Sequence, residues 1–190
     1  MIFSDKIAHS EKILFPKSAI TKGQLIAYYE AIATYMLPYL KDRPLTLQRF
    51  PDGIVKKGFF QKNTPNYFPD WIHTEKVKKQ GGWVNHVICD CKETLIYLVG
   101  QGTISFHITL SRIDKLDYPD KLIFDLDPSN ATFRDVTESA HILRTLLESE
   151  LGLTTYPMLT GSLGIHLVVP LDRSDNFDSV RAFSKKIEQY

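Results

Sequence analysis

The run Ile123-Phe124-Asp125-Leu126-Asp127-Pro128 sets two carboxylates two residues apart at the end of an apolar segment. In an extended strand, positions i and i+2 face the same side, so the two side chains converge. Paired oxygen ligands suit Mg²⁺ or Mn²⁺, hard cations that prefer carboxylate and water. Two such ions about 4 Å apart can clamp the attacking and leaving oxygens of a phosphoryl transfer. Asp-x-Asp also has a plainer reading, because exposed loops often carry it. The apolar residues ahead of it weigh against that reading only in part.

Three further segments carry residue types suited to the same chemistry. Leu159-Thr160-Gly161-Ser162-Leu163-Gly164-Ile165-His166 is rich in glycine and hydroxyls. Its amides could cradle phosphate oxygens, with Thr160, Ser162 and His166 adding side-chain donors. By itself it is also simply a hairpin with two glycines. Gly102-Thr103-Ile104-Ser105-Phe106-His107 ends in a histidine that is as readily structural as functional. Arg49-Phe50-Pro51-Asp52-Gly53, followed by Phe59-Phe60-Gln61-Lys62, sets aromatics beside a lysine. Such a pair can stack a base while the ammonium meets a phosphate, or can be a core strand ending in a solvated lysine.

The elements that must position these residues are legible in outline. Thr21 caps a helix running to about Leu40, with Leu25, Ile26, Tyr29, Ile32, Ala33, Met36 and Leu37 at helical spacing. Pro44 to Phe50 reads as a strand closed by the turn Pro51-Asp52-Gly53, and Phe59 to Lys62 as extended, with Pro65 and Pro69 bracketing a loop. Trp83–Cys89 and Leu95–Val99 are expected to form a hairpin around residues 90–94. Lys121–Asp125 reads as a strand, and Thr132 caps a second long helix that Gly152 ends. Thr154–Met158 and Ile165–Val169 are two more strands, and a last helix opens at Phe177. No repeat or flexible linker interrupts the chain, so one α+β domain with a mixed sheet is expected over 1–190.

Composition narrows the setting. The net charge of +1 conceals a balance of +6 over residues 1–80 and of −5 over 81–190, which suits a polyanion on one surface and cations on another. Cys89 and Cys91 have neither zinc-knuckle nor comfortable disulfide spacing. On a strand they would face the same way as small core residues. No apolar run nears the roughly 20 residues of a membrane span, and the start lacks a signal-peptide layout, so a cytoplasmic protein is expected.

Taken in order, these segments resemble the polymerase domain of bacterial and archaeal DNA ligase D, the end-joining branch of the archaeo-eukaryotic primase superfamily. The resemblance runs from near residue 9 to the end of the chain, through His9–Pro16, Thr21-Lys22-Gly23, Leu37-Pro38, Arg43–Thr46, Arg49–Gly53, Phe59–Lys62, Gly102–His107, Asp125–Pro128 and Thr160–His166. It implies an archaeo-eukaryotic primase-like catalytic core, a mixed or antiparallel sheet with flanking helices. Asp125 and Asp127 match the catalytic metal-binding pair, for Mn²⁺ or Mg²⁺. His107, Thr160 and His166 match residues around the incoming nucleotide and its triphosphate, with Gly161 and Ser162 in the same turn. Phe59 matches the aromatic that stacks on the base, with Lys62 following, and Lys12 and Lys22 match basic positions that grip a DNA 5′-phosphate.

The resemblance further implies a nucleotidyltransferase that fills or extends DNA ends with a preference for ribonucleotides. Its partners would be 5′-phosphorylated DNA ends, nucleoside triphosphates, a Ku-type end-binding protein and a DNA ligase. Threonine stands at 160 where the family usually has serine, and leucine at 163 where it often has lysine. The family's third metal-binding carboxylate lies in a strand beyond the helix that opens at Phe177, and the chain reaches Tyr190 before it. One divalent ion with water completing its shell, and a sheet edge that a second copy would cover, are the expected consequences. The other readings left open are a catalytically weak DNA-end-binding module and a metal phosphoesterase built on the same aspartates.

Overall fold

The computed structural model of the chain describes residues 8–128 and 130–187. Its contacts divide into two compact units, Met1–Thr109 and Leu110–Tyr190. The first holds β1 (Ile13–Phe15), β2 (Ile20–Thr21), α1 (Lys22–Leu40), β3 (Leu45–Arg49), β4 (Phe59–Gln61), β5 (Thr74–Lys79), β6 (Gly82–Val87), α2 (Lys92–Gly100) and β7 (Thr103–Ile108). The second holds β8 (Lys121–Leu126), α3 (Phe133–Thr145), β9 (Tyr156–Leu159), β10 (Ile165–Pro170) and α4 (Phe177–Ile187).

Both long helices begin on a threonine for the same reason. Thr21 accepts from the Gln24 amide while the Gln24 side chain accepts from the Thr21 amide, so two otherwise orphaned donors at the start of α1 are satisfied. Thr132 and Asp135 repeat this box at the start of α3. The apolar stripe of α1 faces inward through Leu25, Ile26, Tyr29 and Ala33, all buried. Past Thr145 the helix widens over Leu146–Glu150 and stops near Gly152, whose φ of 66° is cheap only without a side chain.

In the first unit an antiparallel sheet of order β4-β3-β7 carries Leu45 and Leu47 into a core shared with α1 and α2. Here the expected hairpin around residues 90–94 is overturned. Residues Lys92–Gly100 form α2, and β6 pairs instead with the preceding β5. Leu95, Ile96, Leu98 and Val99 are all buried, and a short run that is apolar on every side fits a buried helix as well as a strand. The real turn is marked by Gly81-Gly82, at φ 81° and 146°. Cys89 and Cys91 are therefore not two residues of one strand. Cys89 is buried after β6, and Cys91 sits at the N-cap of α2 with its Sγ 3.3 Å from Thr94 Oγ1.

In the second unit the antiparallel sheet has the order β8-β10-β9, so the late strand β10 lies between its neighbours. Leu122, Phe124, Leu167 and Val169 fill one core, and Ile165 meets Val136 and Ala140 of α3 in another. Alternation along β8 sends Phe124 and Leu126 toward these cores, which leaves Asp125 and Asp127 for the opposite face. Among the described residues, no helix is long and apolar enough to cross a membrane.

Candidate functional site

The aspartate pair stands at the end of β8, and both residues are exposed. Asp125 lies directly across the ladder from His166, with His166 Nε2 3.0 Å from Asp125 Oδ1. His166 Nδ1 is buried and meets no hydrogen-bond partner among the described residues. Two residues further, one step past the last ladder pair of Leu126 with Ile165, Asp127 lies beside Gly164, which carries no side chain. A Cβ built on Gly164 would collide with Asp127 Oδ1, so the carboxylate uses the volume that glycine leaves free.

Thr160 to Gly164 connects β9 to β10 as a tight loop. The Thr160 amide and hydroxyl both donate to the Gly164 carbonyl, at 3.3 and 3.1 Å. The Thr160 proton is thus committed within the loop, and its oxygen is left as an acceptor only. Gly161 needs to be glycine for its φ of 86°, with open space where a side chain would go, whereas Gly164 needs to be glycine for room. Ser162 is exposed within the same loop.

An open cleft of about 470 Å³ runs along this strand end, lined by Asp125, Asp127, Asn130, Asp135 and Ser139. The capping box holds Asp135 in place, and hydrogen bonds from the Thr132 backbone and hydroxyl lower its pKa below the usual carboxylate range. The donor set fits a hard divalent cation, since two carboxylates on one strand face remain open to solvent and offer oxygen alone. Among the described residues, no three His, Cys, Asp or Glu side chains gather as a cage, so water or phosphate oxygens would complete such a shell.

The remaining candidate residues lie in the first unit, in two groups. Phe59 and Phe60 on β4 point to opposite faces of their sheet. Phe59 covers the guanidinium of Arg49, which sits 5.4 Å from the ring centroid. Phe60 meets His107 of β7 edge to face at 5.4 Å, across the intervening strand β3. His107 therefore shares a face with Phe60 rather than with Phe59. Lys62 follows β4 and is exposed.

Lys12 and Lys22 are brought together by the short β1–β2 hairpin, where the Lys22 amide donates to the Lys12 carbonyl at 2.8 Å. Lys12 Nζ pairs with Asp52 Oδ1 at 2.8 Å, and Lys22 Nζ donates to the Ala8 carbonyl at 2.9 Å. Burial, together with the Lys12 charge, lowers the Lys22 pKa even though Glu11 opposes the shift. The two ammonium groups therefore share one field.

Reasoning from sequence gave the loop amides a role but missed what Gly164 does for Asp127 and the contact of Phe60 with His107. Period-two alternation along β4 and β7 could have paired Phe60 with His107. Nothing in the sequence signals the lean of a carboxylate over a glycine one strand away.

By architecture the chain is an α+β protein with antiparallel sheets and flanking helices. It belongs to the LigD primase-polymerase domain family, whose model matches residues 21–190. The bifunctional non-homologous end joining protein LigD of Bacillus subtilis (strain 168) is 36% identical over 182 residues, covering 95% of this chain and 29% of that protein. The multifunctional non-homologous end joining protein LigD of Mycolicibacterium smegmatis is 29% identical, covering 97% of this chain and 24% of that protein. The chain thus spans under a third of the length of these curated relatives. Among solved structures, the polymerase domain of Mycobacterium tuberculosis Ligase D in complex with DNA matches with a TM-score of 0.89 and 28% identity, covering 97% of this chain and 67% of that one.

Proposed function

We propose that this chain is a metal-dependent nucleotidyltransferase that fills or extends DNA ends during end joining, with ribonucleotides favoured. One observation carries the reading: in a chain of this family, Asp125 and Asp127 stand exposed on one strand face, beside His166 and the Thr160–Gly164 loop. The two aspartates would hold Mn²⁺ or Mg²⁺. When bound, the ion supplies activation of a primer 3′-hydroxyl and charge neutralisation of the triphosphate. His166, Ser162 and the loop amides from Gly161 onward would orient that triphosphate, with Thr160 bracing the loop through its bond to the Gly164 carbonyl. In the first unit, Phe59 followed by Lys62, and His107 packed by Phe60 on the opposite sheet face, would be separate candidates for contact with a nucleotide base.

The single-domain reading of 1–190 belongs to this proposal, and the family model supports it by running across both units. The neighbour solved in complex with DNA supports DNA ends as a partner, while a Ku-type end-binding protein, a DNA ligase, a second copy of the chain and a cytoplasmic setting are further parts of the proposal. The test is primer extension on a gapped, 5′-phosphorylated duplex with Mn²⁺ and either ribonucleotides or deoxynucleotides. The chain should lengthen the primer, and Asp125→Ala should abolish incorporation. Incorporation at the wild-type level in Asp125→Ala would remove the metal assignment, and products shortened or dephosphorylated would indicate a phosphoesterase.

A second reading, a DNA-end-binding module with weak turnover, is favoured by the β1–β2 hairpin, whose backbone hydrogen bond between Lys22 and Lys12 brings the two lysines together. It predicts tight binding to a recessed 5′-phosphate without primer extension.

A further inference from the structure

We infer that Gly164 is a positioning residue for Asp127, so that the two proposed metal ligands are held by opposite means. This rests on the metal reading of the aspartates given above. Asp125 is held by a donor, because His166 stands across the ladder and reaches its Oδ1 at 3.0 Å. Asp127 is held by a space. Just past the last pair of the β8–β10 ladder, Leu126 with Ile165, the same register sets Asp127 beside Gly164, and neighbouring groups on one face compete for the same volume. With no side chain at 164, the Asp127 carboxylate leans across the ladder and Oδ1 takes the place a Cβ would fill.

The backbone of Gly164 has no freedom to yield that place. Its carbonyl receives both the amide and the hydroxyl of Thr160. The same imagined Cβ would lie 3.1 Å from Thr160 Oγ1 and 3.2 Å from the Leu126 carbonyl, so two further neighbours crowd it. Of the three, the carboxylate is the end of a rotatable side chain and is the one that moves. A methyl group at 164 thus swings Asp127 off its bearing at little cost to the fold. The φ of Gly164 is not in the left-handed region, unlike that of Gly161, so a backbone requirement does not account for the glycine. Thr160 acts at one remove, as the clamp that keeps Gly164 where it is.

The test is a Mn²⁺ titration of the full chain read by electron paramagnetic resonance, with a thermal melt of each variant. Gly164→Ala should bind Mn²⁺ about 10-fold or more weakly, the size of effect seen when the support of a metal ligand is removed. Its melting temperature should stay near that of the wild type, and Leu159→Ala, on the exposed edge of the same sheet, should change neither reading. A purely structural role would lower the melting temperature and leave the Mn²⁺ affinity alone, which overturns the inference. Unchanged affinity in Gly164→Ala beside lost affinity in Asp127→Ala also overturns it, while the metal reading stands. Wild-type Mn²⁺ affinity in Asp127→Ala overturns the metal reading itself, and the role of Gly164 with it. If Gly164→Ala fails to fold, the double variant Asp127→Ala/Gly164→Ala decides. Recovery of the fold supports the inference, because the methyl then has its space, and failure in both backgrounds overturns it.

Discussion

His166 reaches across one rung of the β8–β10 ladder to place its Nε2 3.0 Å from Asp125 Oδ1, while its Nδ1 is buried without a partner among the described residues. An imidazole in that position orients the carboxylate and limits which of its lone pairs face the cleft. Groups that orient a metal ligand commonly contribute about 10–100-fold in affinity. His166→Ala should therefore weaken Mn²⁺ binding within that range, measured by titration calorimetry in the absence of nucleotide. Unchanged affinity without nucleotide, together with weaker nucleotide binding, would confine His166 to the triphosphate.

Arg49 is buried at 7% exposure and donates only to neutral oxygens. Its Nε and one terminal nitrogen meet the Gln101 carbonyl at 3.0 and 2.7 Å, and the other reaches Tyr67 Oη at 3.0 Å and the Gln61 side chain. The same guanidinium underlies Phe59. Arg49→Met leaves these acceptors without donors, and should destabilise the fold by about 2–3 kcal/mol, the scale for losing hydrogen bonds to a charged group. Urea unfolding measures this. Stability unchanged within error would mean that the network is replaced by water.

Lys12 and Lys22 lie together on a hairpin held by backbone hydrogen bonds, with Lys12 paired to Asp52. Lys22→Ala should weaken binding to a duplex with a recessed 5′-phosphate and leave the unphosphorylated duplex nearly unaffected. The salt dependence of binding to the phosphorylated end should fall by about one unit in log–log slope, as for loss of one phosphate contact. Fluorescence anisotropy across a salt series reads both quantities. Equal weakening for both duplexes would make Lys22 a general backbone contact.

Acid should loosen the second unit through particular carboxylates. The pKa values of Asp135, Glu148 and Asp114 are all lowered, by hydrogen bonds from Thr132, from Thr155 and Arg144, and from Arg173 respectively. A carboxyl whose folded pKa lies below its unfolded value stabilises the fold above the unfolded value, and that contribution fades as pH falls through the folded one. The melting temperature should accordingly be flat near neutrality and decline below about pH 4. Asp135→Asn should flatten part of that decline.

The legible parts of this protein were those governed by local rules. The threonine boxes, the helix stripes and the strands around Asp125 and Ile165 follow from residue types a few positions apart, and each is found where expected. The failure at Leu95–Val99 has the opposite origin. That run is buried on all sides by α1 and its neighbours, so it shows no periodicity to read, and tertiary packing makes it helical. β5 was missed because its Lys-rich stretch lacks a clean apolar alternation. That Asp125 and Asp127 share one face follows from their spacing, but the groups beside them do not. The partners of both lie some 40 residues away, and only the register of β8 against β10 brings them together.

Pro157 gives the edge strand β9 a further property. Thr160 donates to Gly164 across the β9–β10 loop, and antiparallel pairs alternate between bonded and non-bonded. Pro157, opposite Leu167, therefore falls at a non-bonded position, with its nitrogen directed away from β10. The outer row of β9 thus lacks a donor where an incoming strand would need one, although Tyr156, Met158 and Leu159 are exposed beside it. A proline placed there keeps a sticky edge from serving as a template for stacking chain upon chain, and so favours solubility at no expense to the ladder within.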